Sequence, residues 1–115
     1  MTLTVQGAGD VTIQLAGTEM MCINWNDDTG VTMETLSYDY SDYTHTYTEE
    51  KGHEIIITGE NITALYCGNN RITSLDVSGN EALRELGSYE NQCRDNKFTD
   101  DLDFSLTDER NPFEL

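Results

Sequence analysis

The sequence predicts a mainly β chain, a small antiparallel β-sandwich fused to a short, degenerate repeat solenoid. Two observations predict it. Residues 3–58 alternate apolar and polar side chains in short runs broken by Gly, Asn and Asp, the pattern of strands joined by turns. From residue 62 a phrase recurs: Ile62-Thr-Ala-Leu65-Tyr-Cys67-Gly-Asn-Asn70, then Ile72-Thr-Ser-Leu75-Asp-Val77-Ser-Gly-Asn80, then Leu83-Arg-Glu-Leu86-Gly-Ser88-Tyr-Glu-Asn91. The starts lie 10 and 11 residues apart, so one full period is 21 residues. A fixed period in this range marks coils that stack on one another.

In the first half, Leu3-Thr-Val5, Val11-Thr-Ile13-Gln-Leu15, Met21-Cys-Ile23-Asn-Trp25 and Val31-Thr-Met33-Glu-Thr35 each alternate, and Glu54-Ile-Ile-Ile-Thr58 is a β-branched run. No stretch here carries a helical period. Tyr38, Tyr40, Tyr43 and Tyr47 fall in a polar, aromatic stretch, read either as a cover over the sandwich end or as an adhesive surface. The division expected is residues 1–60 for the sandwich, 61–105 for the repeats and 106–115 for a C-terminal cap or tail. No flexible linker separates Ile55 from Asn61, so the last sandwich strand is expected to lie against the first coil and close its open end.

Within a unit, Leu65 and Cys67, Leu75 and Val77, and Leu86 point inward, and the residues between them point out. Asn70, Asn80 and Asn91 then turn the chain, their side chains bonding backbone groups otherwise orphaned inside the turn. Asn96-Lys-Phe98-Thr-Asp-Asp-Leu102-Asp-Phe104-Ser105 echoes Asn70 to Ser78 with one extra residue, and its start at Phe98 implies an insertion between Asn91 and Asn96.

Composition sets limits on partners. The chain has 115 residues, 22 Asp and Glu against 6 Lys and Arg, and a formal charge of −16. That excludes nucleic acid and anionic membrane surfaces, which require clustered Lys and Arg. It favours solubility, cations or basic partners. No window is apolar enough to insert in a membrane. The opening Met-Thr-Leu-Thr-Val lacks the charged and apolar regions of an export signal. Cys22, Cys67 and Cys93 are odd in number, so not all pair within one chain, and Cys67 reads as a buried free thiol.

The residues around Trp25 carry a resemblance. Ile23-Asn-Trp25-Asn-Asp27-Asp28-Thr29 is similar to the W-G-D-G-T turn of polycystic-kidney-disease (PKD)-type β-sandwich modules, and His45-Thr-Tyr47 with Gly52-His-Glu-Ile55-Ile-Ile57 resembles that family's later H-x-Y…G-x-Y-x-V-x-V stretch. Here Trp25 is expected to plug the core, Asp27 to hydrogen-bond its own turn and Tyr47 to anchor a strand pair. Asn26 and Asp28 replace the usual glycines, and both residue types tolerate positive φ.

The 21-residue array resembles the leucine-rich repeats of bacterial surface proteins of the Bacteroides type, in which L-T-x-L-x-C-x-x-N and L-T-S-L-D-V-S alternate. A PKD-like sandwich precedes the repeats in some of those proteins. The resemblance implies a non-catalytic recognition or adhesion module, secreted or at the cell surface, that binds a protein or glycan. By that analogy Leu65-Tyr-Cys67 and Leu86-Gly-Ser88 share a parallel sheet, with the Leu75 half on the return side. Ala64, Tyr66, Gly68, Glu85, Gly87 and Tyr89 then face outward, and Tyr66, Glu85 and Tyr89 are the ligand-binding candidates. The alternative is a structural spacer without a ligand of its own. A monomer or a weak, edge-paired dimer is expected.

Other chemistry is weak. Asn24-Trp-Asn26-Asp-Asp28-Thr-Gly30 has oxygens at positions 1, 3 and 5 of a calcium loop, but glycine falls at position 7 and Thr35 at position 12. It reads as a turn, with weak Ca²⁺ binding left to the spacer alternative. Asp100, Asp101 and Asp103 read as a solvated edge. No metal site or cofactor is expected. Among possible catalytic groups, His45 and His53 stand in no G-x-S-x-G, H-E-x-x-H or phosphate-loop motif, so no enzyme is expected and His45 is assigned a turn hydrogen bond.

Overall fold

The structure, a computed structural model, describes residues 1–87 and 95–97, the last three in backbone only. It is mainly β, with no helix among the described residues. The strands are β1 (Thr2–Gln6), β2 (Gly9–Gly17), β3 (Met20–Asn24), β4 (Val31–Thr35), β5 (Ser41–Tyr47), β6 (Gly52–Thr58), β7 (Ile62–Tyr66), β8 (Ile72–Asp76), β9 (Glu85–Gly87) and β10 (Asp95–Lys97). They form a six-stranded sheet in the order β10-β8-β1-β6-β3-β4 and a four-stranded sheet in the order β5-β2-β7-β9, an arrangement compatible with a small β-sandwich. Alternate residues of both sheets meet in one core. Leu3, Val5, Ile23, Ile55, Ile57, Ile72 and Leu75 come from the larger sheet, and Val11, Ile13, Leu15, Ile62, Leu65 and Leu86 from the smaller. Burial of these faces is the main force holding the sheets together.

The polar, aromatic stretch after Tyr40 is itself a strand, β5. Tyr43 and Tyr47 are its inward residues and lie in the core, while Tyr38 and Tyr40 remain exposed. The period of two is present, but tyrosine replaces the aliphatic residues by which a strand is usually read.

Both sheets contain strands from either side of residue 60. Ile62–Tyr66 pairs antiparallel with β2, and Ile72–Asp76 pairs antiparallel with β1. The last strand of the first half, β6, was expected to hold the first coil. It is instead sandwiched between β1 and β3, so neither of its edges is free to do so. The first two strands, not the last, carry the repeat.

The two half-units are built alike. In each, the pairing slips by one residue at the threonine after the isoleucine: Ala16 pairs Ala64 but Gly17 pairs Ile62, and Thr4 pairs Ser74 but Val5 pairs Ile72. The skipped threonines, Thr63 and Thr73, donate their hydroxyls to Ala16 O at 3.2 Å and Thr4 O at 3.4 Å. The residue ahead of each isoleucine also matches: Asn61 O accepts from Thr18 N and Arg71 O from Gln6 N, both at 3.1 Å. The Ile-Thr-x-Leu echo is thus one bulged strand motif used twice, and in each copy the threonine hydroxyl adds a bond to a carbonyl of the facing strand.

Across the next rung both sheets turn parallel. Leu65 pairs Leu86 and Leu75 pairs Asn96, each an offset of 21 residues. Leu65, Cys67, Leu75, Val77 and Leu86 are all fully buried. Cys67 is buried in the core, and Cys22 is a half-buried free thiol. The echo from Phe98 to Ser105, the acidic run Asp100 to Asp103, Cys93, Asn91 and the expected cap at 106–115 lie outside the described residues.

Asn70 behaves as its position in the repeat predicts. It is buried, and its carboxamide accepts from Thr12 N at 3.0 Å and donates to Thr12 O at 2.7 Å and Cys67 O at 3.0 Å. β7 stops at Tyr66, so Thr12, paired with Thr44 of β5 on one side, has no strand beside it on the other, and one side chain supplies the missing donor and acceptor there. Asn80 closes its turn through the backbone, its N donating to Val77 O and its O accepting from Leu83 N.

Candidate recognition face

The four-stranded sheet turns its second face to solvent. Register sets Asp42, Gln14, Tyr66 and Gly87 in one row of that face, and Ala16, Ala64 and Glu85 in the next. Tyr40, one residue before the β5 pairing begins, stands at the head of the second row. Its hydroxyl donates to Glu85 Oε2, three strands away. Neighbouring strands are about 4.8 Å apart, so the side chain must run over Ala16 and Ala64. Both alanines are only 3% exposed although they face away from the core, and any larger side chain would obstruct the crossing.

Tyr66 completes the group. Its hydroxyl donates to the same Glu85 oxygen at 2.9 Å and lies 3.2 Å from that of Tyr40. The two rings meet edge to face, centroids 4.9 Å apart at 78°, a favourable aromatic geometry. Glycine at 87 is required by this packing, since a Cβ there would fall 2.5 Å from Tyr66 Cδ1. Burial, then the bonds to Glu85 and Tyr66, raise the Tyr40 pKa well above the ordinary phenol value; burial likewise raises that of Tyr66. Both hydroxyls are therefore protonated donors at neutral pH.

The remainder of the face is polar and of low relief. Gln14 Nε2 donates to Asp42 Oδ1 at 2.7 Å, the Thr12 and Thr44 hydroxyls are 3.0 Å apart, and Thr46 Oγ1 donates to Asp10 Oδ1 at 2.5 Å.

Of the residues singled out from sequence, Tyr66 and Glu85 come together on this face, half-buried, and Tyr89 lies outside the described residues. Ala64 and Gly87 do face outward but are buried, because Tyr40 and Tyr66 lie over them. Tyr40 was the residue missed. Its signal was its place in the tyrosine-rich stretch, but nothing local connects it to Tyr66 and Glu85, 26 and 45 residues away.

A second polar cluster lies at the opposite end of β5. Trp25 is buried and stacks on His45 at 4.7 Å and 12°; Tyr47 meets His45 edge to face and stacks on His53 at 3.9 Å. Tyr47 donates to Trp25 O at 2.6 Å and Trp25 Nε1 to Thr32 Oγ1 at 3.0 Å. Asp27 Oδ1 accepts from Thr29 N and Oγ1, and Asp27 Oδ2 lies 2.6 Å from His45 Nε2. Asn26 takes φ 61°, the left-handed conformation that glycine favours and asparagine tolerates. The Thr29 bonds first, then those to His45, hold the Asp27 carboxyl down at about 2.

A cleft of about 300 Å³ opens beside this cluster, lined by Asp27, Asp28, Tyr47, Glu49, Lys51 and His53. Its groups are engaged with one another: Lys51 Nζ lies 2.7 Å from Glu49 Oε2, and His53 Nε2 2.9 Å from Glu49 O. In the adjoining loop, Asn24 Oδ1 accepts from Asn26 N and Asp27 Oδ1 from Thr29 N. No grouping of three or more His, Cys, Asp or Glu fit to hold a metal occurs among the described residues. The arrangement knits a turn to the core. Comparison with family models, curated proteins and solved structures gives no match.

Proposed function

We propose that this chain is a non-catalytic recognition or adhesion module: a sandwich that starts and closes a short leucine-rich-type solenoid, and that binds a protein or glycan through the outer face of its four-stranded sheet. The observation that carries the reading is the Tyr40–Tyr66–Glu85 group, two partly exposed aromatic rings on an open face of low relief. Amphipathic rings of this kind serve as binding anchors, since they bury large area at little entropic cost.

The solenoid part is supported by the common 21-residue offset in both sheets. Offset pairing of this kind adds one coil per period, which would enlarge the same outer face row by row. The setting, cell surface or secreted, follows from the resemblance of the repeats and is tested by locating the protein in its native cells.

Binding to arrayed glycans and immobilised purified proteins tests the function. Tyr40→Ala and Tyr66→Ala should abolish signals that Glu54→Gln, on the outer face of the other sheet, leaves intact. Signals indifferent to both tyrosine variants would exclude this face as the binding surface.

A further inference from the structure

We infer that the ligand of this face is a basic protein segment, with an arginine side chain seated against Tyr40 and Tyr66 and paired with Glu85. The inference rests on the recognition reading above and gives it a chemical class.

The rings come first. Tyr40 is 45% exposed, its neighbour Tyr38 86%, and Tyr66 is braced from below by Gly87 and from the side by Tyr40. The face of a fixed, neutral phenol ring attracts a cation, and a planar guanidinium also stacks on it. Glu85 adds an anion at the ring edges. Both hydroxyls converge on Oε2, and among the described residues Oε1 accepts no hydrogen bond. Oε1 is therefore the acceptor a guanidinium would use.

Charge selects the partner. Among the described residues, the remaining charged groups on this face, Asp10 and Asp42, are acidic. The three described basic side chains are held elsewhere: Lys51 by Glu49, Arg71 by Gln6 O, and Arg84 by Glu81 O and Leu83 O. With a formal charge of −16 for the whole chain, a basic segment is drawn to the face from a distance, and an acidic one is repelled.

The test is fluorescence anisotropy of a labelled arginine-rich peptide, with neutral oligosaccharides as the competing class, at low and high salt. Glu85→Gln keeps a carbonyl oxygen for the two hydroxyls. Glu85→Gln and Tyr40→Ala should each weaken peptide binding about ten-fold, while Tyr40→Phe, which keeps the ring, stays within about three-fold. Glu54→Gln makes the same change in net charge on the other sheet and should shift binding less than two-fold, about the scale of a solvent-exposed charge. A thermal melt confirms that each variant folds. Equal weakening by Glu54→Gln and Glu85→Gln would overturn the inference by reducing it to net charge. Oligosaccharide binding lost in Tyr40→Ala, without peptide binding, would overturn the cationic ligand and leave the recognition face standing. Binding of neither probe class would overturn both.

Discussion

Asn70 and Thr12 stand 58 residues apart in sequence, yet the carboxamide of one completes both backbone groups of the other. The contact ties the turn after the first repeat strand to the middle of β2. Asn70→Ala leaves the Thr12 N–H and C=O and the Cys67 C=O without this partner. At about 1–3 kcal/mol for a buried polar group left unsatisfied, the variant should lose roughly 3 kcal/mol, read by urea denaturation. A loss under about 0.5 kcal/mol would show that water replaces the side chain.

The repeated bulge offers a matched pair of substitutions. Thr63→Val and Thr73→Val preserve shape and remove one hydroxyl bond each. Both should destabilise, by about 0.5–1.5 kcal/mol, Thr63→Val more because its bond is the shorter. Opposite signs at the two sites would break the equivalence of the half-units.

Gly17 of β2 lies opposite the bulge in β7 with φ 157°, and a Cβ there would meet Asn61 O at 2.1 Å. Backbone cannot yield as a flexible side chain does, so Gly17→Ala should cost about 3 kcal/mol or more and shift the Tm accordingly. Gly30→Ala, where a Cβ meets nothing within 4 Å, is strained only by its φ of 95° and should cost about 1 kcal/mol.

The turn holding Trp25 fixes an acid-side dependence. Asp27 has a folded pKa of about 2, below its unfolded value near 3.9. Its contribution is present in full above pH 4 and is lost as pH falls through 2. The side chain is 26% exposed, so after discounting for screening the effect is on the order of 1 kcal/mol. Denaturation of Asp27→Asn against the native chain should show a gap at pH 7 that narrows below pH 4 and closes below pH 2. A gap that stays constant would remove the carboxylate from the account.

Tyr47 gives the alkaline counterpart. Burial pushes its pKa up to about 12, above the unfolded value near 10. A raised folded pKa stabilises below pH 10 and is lost as pH rises through 12. Absorbance titration should show a late tyrosinate step that Tyr47→Phe removes, with about 1 kcal/mol lost at neutral pH from the missing bond to Trp25 O. An unchanged late step would assign it to Tyr40, Tyr43 or Tyr66, whose pKa values are also raised.

The sequence by itself determined the β class, the 21-residue period and the inward set Leu65, Cys67, Leu75, Val77 and Leu86, because strand alternation and repeat spacing are local and each residue carries its own share of the signal. It also determined the Asn24–Thr29 turn, whose own Asn24–Asn26 and Asp27–Thr29 bonds close within two residues. Only the tertiary structure decided that the two half-units enter different sheets, that β1 and β2 hold them, and that Tyr40 crosses two alanines to reach Glu85. Those pairings join residues dozens of positions apart. They depend on which strand edges remain open once the hairpins have formed and on how much space Ala16, Ala64 and Gly87 leave, and neither quantity is written in any short stretch of the chain.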